Sequence, residues 1–184
     1  MDNLKFRKIL ILFHLLVAGF MAPAFILVAI TGGLHMVGGG EKQDIQTIIL
    51  TENASLDFSS KTIEDDVRAL LKSAGVNHDF EYLKNRGSSA QTRPTSRPYV
   101  SFKISNKELI AEMVTPNFQK AMMEIHKGHG PKILRSYHKL VALLLFAVVF
   151  GGILVGLMSN VYRKKTIVTL FSGSLIYILL IMFG

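Results

Sequence analysis

Apolar residues in this chain gather into three long runs, broken by one extended polar stretch and one short basic turn. Residues 9–34, 140–158 and 166–184 hold no Lys, Arg, Asp or Glu. Each run is near the ~20 residues that a helix needs to cross a bilayer. The polar stretch has shorter periods. Ile63, Val67, Leu70, Leu71 and Ala74 recur on one helical face, with Ser60 or Thr62 ahead of them, Glu64, Asp65 and Asp66 in the first turn and Gly75 as the stop. Residues 80–83 predict a strand. Residues 86–98 predict a long basic loop of Gly, Ser, Pro and Arg, and residues 99–104 a second strand in which Val100, Phe102 and Ile104 alternate. A turn at Ser105, Asn106 and Lys107 leads to a third antiparallel strand over residues 108–114, where Leu109, Ala111 and Met113 alternate with Ile110 and Glu112. Thr115 and Pro116 then open a short helix whose Phe118, Met122 and Ile125 share a face. Residues 45–50 are β-prone and read as either a strand or a connector.

Together these elements predict an α+β membrane protein with three transmembrane helices and a small extramembrane helix-on-antiparallel-sheet domain inserted between helices 1 and 2. The first helix occupies residues 9–35, the inserted domain 36–131, the second helix and its entry 132–159, and the third helix 166–184. Residues 1–8 and 160–165 are basic flanks. Pro23 removes a backbone donor within the first run and predicts a kink. Gly32, Gly33, Gly38, Gly39 and Gly40 loosen its exit.

The formal net charge is +8, and where it lies decides what it means. Lys5, Arg7 and Lys8 precede the first run, and Arg163, Lys164 and Lys165 fill the turn between the second and third. With three spans both clusters fall on one side, which the positive-inside rule makes cytoplasmic. The N-terminus is then inside, and the large insert and Gly184 are outside. Lys127, Lys132, Arg135 and Lys139 argue the other way, but long translocated domains weaken the rule and the two short clusters dominate. Basic residues do not interleave with aromatics on any element, so nucleic acid is not an expected partner; the lipid bilayer is. The chain has no cysteine, which excludes disulfides, iron–sulfur ligation, covalent c-type haem and a thiol nucleophile. Ala22-Pro23-Ala24 resembles a signal-peptidase site, but the apolar run continues past it, so the segment reads as a retained anchor. No Ser/His/Asp set, HExxH, P-loop or pair of catalytic carboxylates can be assigned, and Arg86, Arg93 and Arg97 read as a solvated loop rather than as a site for an anionic ligand or partner.

Four stretches, Phe13-His14-Leu15, Thr31-Gly32-Gly33-Leu34-His35, Ile125-His126-Lys127-Gly128 and residues 137–156, in this order resemble the PepSY-associated transmembrane proteins, a bacterial family. Phe13-His14-Leu15 is similar to that family's opening, and Thr31-Gly32-Gly33-Leu34-His35 to its Thr-Gly-x-x-x-His exit. Ile125-His126-Lys127-Gly128 resembles the Leu-His-x-Gly before the next span, and residues 137–156 resemble its second membrane element. The resemblance implies an inner-membrane protein with a periplasmic PepSY-like domain, linked among family members to iron metabolism, haem binding or association with other membrane proteins. The siderophore reductases of the family have more helices than the three here, and His138 departs from their pattern.

Histidines carry the candidate chemistry. His14 and His35 lie about 31 Å apart along an unbroken helix at ~1.5 Å per residue, at opposite margins of one span. On the topology above, His35, His126, His129 and His138 share the outer margin. Two of these imidazoles would serve as axial ligands to a haem b, with His35 and either His138 or His126 as the pair, or would bind a transition metal through His126 and His129. As ordinary interfacial residues they would do neither. His14 sits inside the apolar run, where an ionisable residue is a functional candidate; Met158 or His14 of a second copy would complete a haem site there. Gly151, Gly152 and Gly156 permit close helix approach, within this bundle or with a membrane-protein partner or homo-oligomer. Ser172, Gly173 and Ser174 form a similar small patch that reads as packing within the bundle.

Two functions of different classes follow. One is a non-catalytic accessory protein that binds or stabilises a larger respiratory or transport assembly. The other is a haem b electron carrier or a component of a ferric or siderophore reductase. Regulation of a periplasmic peptidase, which the family's name suggests, is a third.

Overall fold

The structure is a computed structural model that describes residues 3–38, 40–52, 54–106 and 108–183. Gly39, Lys107 and Gly184, which entered the readings above, lie outside the described residues. Three helices are long and apolar enough to cross a membrane: α1 (Asn3–Met36), α4 (Lys132–Met158) and α5 (Arg163–Phe183). The chain divides into two compact units, Met1–Ala24 with Lys139–Gly184, and Phe25–His138. Pro23 lies inside α1, and the division between the units falls beside it.

The second unit contains an antiparallel five-stranded sheet in the order β1-β5-β4-β3-β2. Its strands are β1 (Gln43–Ile48), β2 (Tyr82–Asn85), β3 (Ser89–Arg93), β4 (Tyr99–Ser105) and β5 (Glu108–Pro116). Strands β2 to β5 form a meander, and β1 pairs with β5 from Gln43↔Pro116 to Ile48↔Ala111. Helix α2 (Ile63–Ser73) joins β1 to β2, one sheet edge to the other. It buries Ile63, Val67 and Leu71 in a core with Phe80, Ala90, Val100, Phe102 and Ala111, closed by Leu56 and Phe58 from the loop ahead of it. Period 2 accounts for the sheet side of this core, since Val100 and Phe102 on β4 and Ala111 on β5 point the same way. Helix α2 stops in a Schellman turn: Val76 N–H donates to Leu71 O at 2.9 Å and Gly75 N–H to Lys72 O at 3.1 Å, with Gly75 at φ +71°.

Three expectations need correction. The basic loop over residues 86–98 contains β3, whose buried Ala90 and Thr92 are too small and too polar to read as an apolar alternation. A tight turn with Gly87 at φ +83° returns the chain from β2 to β3. Thr115 and Pro116 belong to β5, so the short helix starts later, as α3 (Phe118–His126). Its N-cap is Asn117, whose Oδ1 accepts from Lys120 N–H at 2.9 Å. The buried side of α3 is Met123 and Glu124, whereas Phe118 is exposed. Of residues 45–50 the first four are strand, within β1, and Ile49 and Leu50 lie beyond its end; the strand expected at 80–83 lies two residues later, with Phe80 packed in the core ahead of it.

The first unit contains the turn from α4 to α5. A Cβ at Gly156 would press into the Thr166 side chain, its Cγ2 lying 3.0 Å away, so glycine permits the close approach of the two helices. Arg163 Nε donates to Leu157 O at 2.8 Å, placing a cation on the C-terminal carbonyls of α4.

Candidate functional site

Most of the candidate polar side chains in the second unit meet on or around α3. The helix is held first at its N-terminus. Asn117 donates from Nδ2 to Gly40 O at 2.7 Å, accepts from Lys42 N–H at 3.2 Å and donates its own N–H to Lys42 O at 2.9 Å, so the segment leaving α1 is stitched to the start of α3. Glu41 extends the seam, with His35 Nδ1 at 2.8 Å and Lys120 Nζ at 3.2 Å. The bond from His35, with help from Lys120 and against burial, holds the Glu41 carboxyl below its ordinary range.

The C-terminus of α3 carries more chemistry. Gly128, at φ +75°, lets the chain reverse in a second Schellman turn, so that His129 N–H donates to Glu124 O at 2.8 Å and Gly128 N–H to Ile125 O at 2.9 Å. The same turn puts His129 Nδ1 2.8 Å from Glu124 Oε2. Thr95 donates its hydroxyl to that oxygen at 2.6 Å and receives Arg93 Nη1 at 2.7 Å. Arg93, Thr95 and Glu124 are all buried, so the reading of Arg93 as a solvated loop residue is wrong. It is the last residue of β3 and points opposite to the core residue Thr92, toward the side that α3 covers. Burial alone would raise the Glu124 carboxyl; its hydrogen bonds from Thr95 and His129, with Lys127 nearby, hold it below the ordinary value.

His126, in the last turn of α3, reaches α1. Its Nδ1 lies 2.7 Å from Thr31 Oγ1, and its Cε1 occupies the space beside Gly32, 3.7 Å from where a Cβ would stand. Thr31 is buried and spends its own proton on Leu27 O at 2.7 Å, so its oxygen accepts and His126 Nδ1 carries the hydrogen. His126 Nε2 is then the nitrogen with a free lone pair. The same logic holds for His35, whose Nδ1 donates to the Glu41 carboxylate. An imidazole fixed through Nδ1 and open at Nε2 is the arrangement of a metal or haem ligand. His35 and Thr31 stand one turn apart on α1, so His35 and the His126 ring approach the same helix face. The His138 ring is tilted 46° to that of Tyr137, with centroids 6.1 Å apart, and makes no hydrogen bond to His35 or His126. Among the described residues no group of three or more His, Asp or Glu is placed to hold a metal ion, and the His126 and His129 rings are engaged by different partners.

His14 lies in the first unit, against Gly152 of α4, where a Cβ would meet its Cε1 at 3.5 Å. Gly151 has nothing within 4 Å, so of the three small residues on α4 only Gly152 and Gly156 serve close approach. Sequence reasoning missed Thr95, Glu124 and His78. His78 Nε2 bonds the buried Thr92 hydroxyl at 2.9 Å, which ties the end of the α2–β2 connection to β3. A capping signal was available only for Glu124, in the Gly128 stop that returns His129 to it.

No family profile, characterised protein or solved structure matches this chain.

A carboxyl held below its ordinary value stabilises the fold above that value and ceases to do so as pH falls through its folded pKa. Glu124 therefore contributes fully above its unperturbed 4.5 and loses its contribution at lower pH. Glu124→Gln should flatten the acid limb of a thermal-unfolding profile of the detergent-solubilised protein. Glu124→Ala should cost about 3 kcal/mol, because it leaves Arg93 buried without its carboxylate. An unchanged acid limb in Glu124→Gln would remove Glu124 from this role.

Proposed function

We propose that the protein is a non-catalytic membrane accessory protein of the PepSY-associated type, whose spanning helices and inserted α+β domain bind a larger membrane assembly. The observation that carries this reading is α5. None of its residues is buried, and Gly173, in the small patch Ser172-Gly173-Ser174, has no neighbour within 4 Å. Packing within the bundle, expected for this patch, does not supply a partner for it. Small residues on an apolar helix are where a second helix approaches closely when lipid offers no hydrophobic contrast. A photo-crosslinking residue at position 173, in cells, should yield protein adducts, while one at the bulky position 171 should yield fewer. Lipid adducts alone at 173 would defeat the reading.

The orientation belongs to the same proposal. Residues 1–8 and the first turn of α5, which, contrary to the expected basic turn, carries Arg163, Lys164 and Lys165, face the cytoplasm of a bacterial cell, and the sheet domain faces the periplasm. The chain has no cysteine of its own, so Ser88→Cys reports cleanly. An impermeant thiol reagent should label it from outside; labelling only after the membrane is broken would invert the topology.

A second reading is favoured by the free Nε2 atoms of His35 and His126, which would hold a haem b and give the protein one-electron chemistry. The dithionite-reduced minus oxidised spectrum of protein expressed with haem supplied should then show a b-type band that His35→Ala and His126→Ala each abolish. A spectrum without that band removes the reading.

A further inference from the structure

Hydrocarbon offers no hydrogen bonds, so polar side chains on spanning helices find partners within the protein. Several hydroxyls here do so on their own helix: Thr31 donates to Leu27 O at 2.7 Å, Thr169 to Lys165 O at 2.9 Å and Ser172 to Thr169 O at 3.2 Å. His14 does not. Its Nδ1 is enclosed without a hydrogen-bond partner, a state shared among the described residues only by the amide nitrogen of Gln119. Nε2 makes no hydrogen bond either, but it is not among the enclosed atoms, so it is the nitrogen that a visiting group can reach.

Beside this ring lies a cavity of about 170 Å³, lined by Ile11, His14, Leu15, Gly152 and Val155. His14 is its one polar side chain. Gly152 contributes by absence: a Cβ there would come within 3.5 Å of His14 Cε1 and 3.8 Å of Nδ1, and a longer side chain would fill the space. The space is half-open, since Ile11 is 39% and Leu15 63% exposed, so it admits a flat ring from the side without enclosing it.

We propose that this cavity binds the ring of a bilayer-soluble carbonyl compound of the quinone class, with the His14 imidazole hydrogen-bonded to a ring carbonyl. Aliphatic walls accept the ring faces and an isoprenoid-like tail, and a lone imidazole N–H matches a carbonyl acceptor. A phospholipid acyl chain would fill the walls and leave the imidazole unanswered; a charged headgroup would find no countercharge in the lining. This site goes beyond the accessory reading and does not depend on it.

The full-length protein in lipid nanodiscs, with ¹⁵N-labelled imidazoles, is titrated with a short-tailed benzoquinone, and quinone retained above an empty-disc control is measured in parallel. Retention should saturate, with a coincident shift of the ring resonance that His14→Phe removes. His14→Phe keeps the ring volume and should bind about tenfold more weakly, the loss of one hydrogen bond. Gly152→Leu should weaken retention at least as much. Gly152→Ala, whose Cβ finds ordinary contact, and Gly151→Leu, which faces open space, should bind as the parent does. Retention no greater than that of empty discs, or equal in the parent and both His14→Phe and Gly152→Leu, overturns the proposal. Disulfide-linked dimers of Ile11→Cys in the same discs would assign the cavity to a second copy and overturn it too.

Discussion

A carboxylate withdrawn from water has to be met by donors, and Glu124 is met from three directions. Thr95 reaches it from the loop after β3, His129 from the turn that ends α3, and Arg93 stands 3.9 Å behind from the end of β3. Removing Glu124 leaves Arg93 buried without its carboxylate, which costs more than the bond itself contributes. This requirement fixes α3 against one end of the sheet. It thereby sets where His126 emerges, and the Thr31 hydroxyl and the cleared space at Gly32 receive it. The helix that carries the chain back toward α4 is therefore placed by electrostatics at its C-terminal end and by the Asn117 cap at its N-terminal end.

The two ends of α3 were unequally legible in the sequence. The apolar runs and the period of α2 stand out because burial repeats a signal over many residues: Ile63, Val67 and Leu71 each point into the same core. Strand β3 was invisible because Ser, Ala, Gln, Thr and Arg carry no apolar alternation, and its burial comes from a hydroxyl and a methyl group rather than a large side chain. Thr92 enters the core with its hydroxyl engaged by the Val100 N–H and by His78. Arg93 follows from β3: a residue assigned to a loop is assumed wet, whereas the last residue of a strand takes the face that parity dictates. The histidines were visible as residues, but their tautomers were not, since these depend on where Thr31 and Glu41 spend their hydrogen bonds.

The glycines that looked alike along the chain have different tasks. Gly128 reverses the backbone, Gly32 and Gly152 lie beside imidazole rings at ordinary contact distance, Gly156 admits Thr166, and Gly151 and Gly173 face open space. The motifs that resemble a family signature are in this structure a set of local solutions. Thr31 with Gly32 forms a receptor for His126, and His126 with Gly128 forms the helix end that delivers it. A pattern of this kind is maintained by geometry whatever the protein does, so its presence speaks first for the fold and only then for chemistry.

Strand β1 begins where β5 ends, and Gln43 lies directly opposite Pro116. The polypeptide thus enters and leaves the sheet through adjacent positions about one strand spacing, ~5 Å, apart. Tension applied across these two points pulls at the same end of an antiparallel pair, so it peels the ladder open one rung at a time and never loads the rungs in parallel as shear would. Mechanically, the inserted domain is attached by a zipper whose pull tab is the Asn117 seam, and it is weakest along the direction in which its two tethers separate.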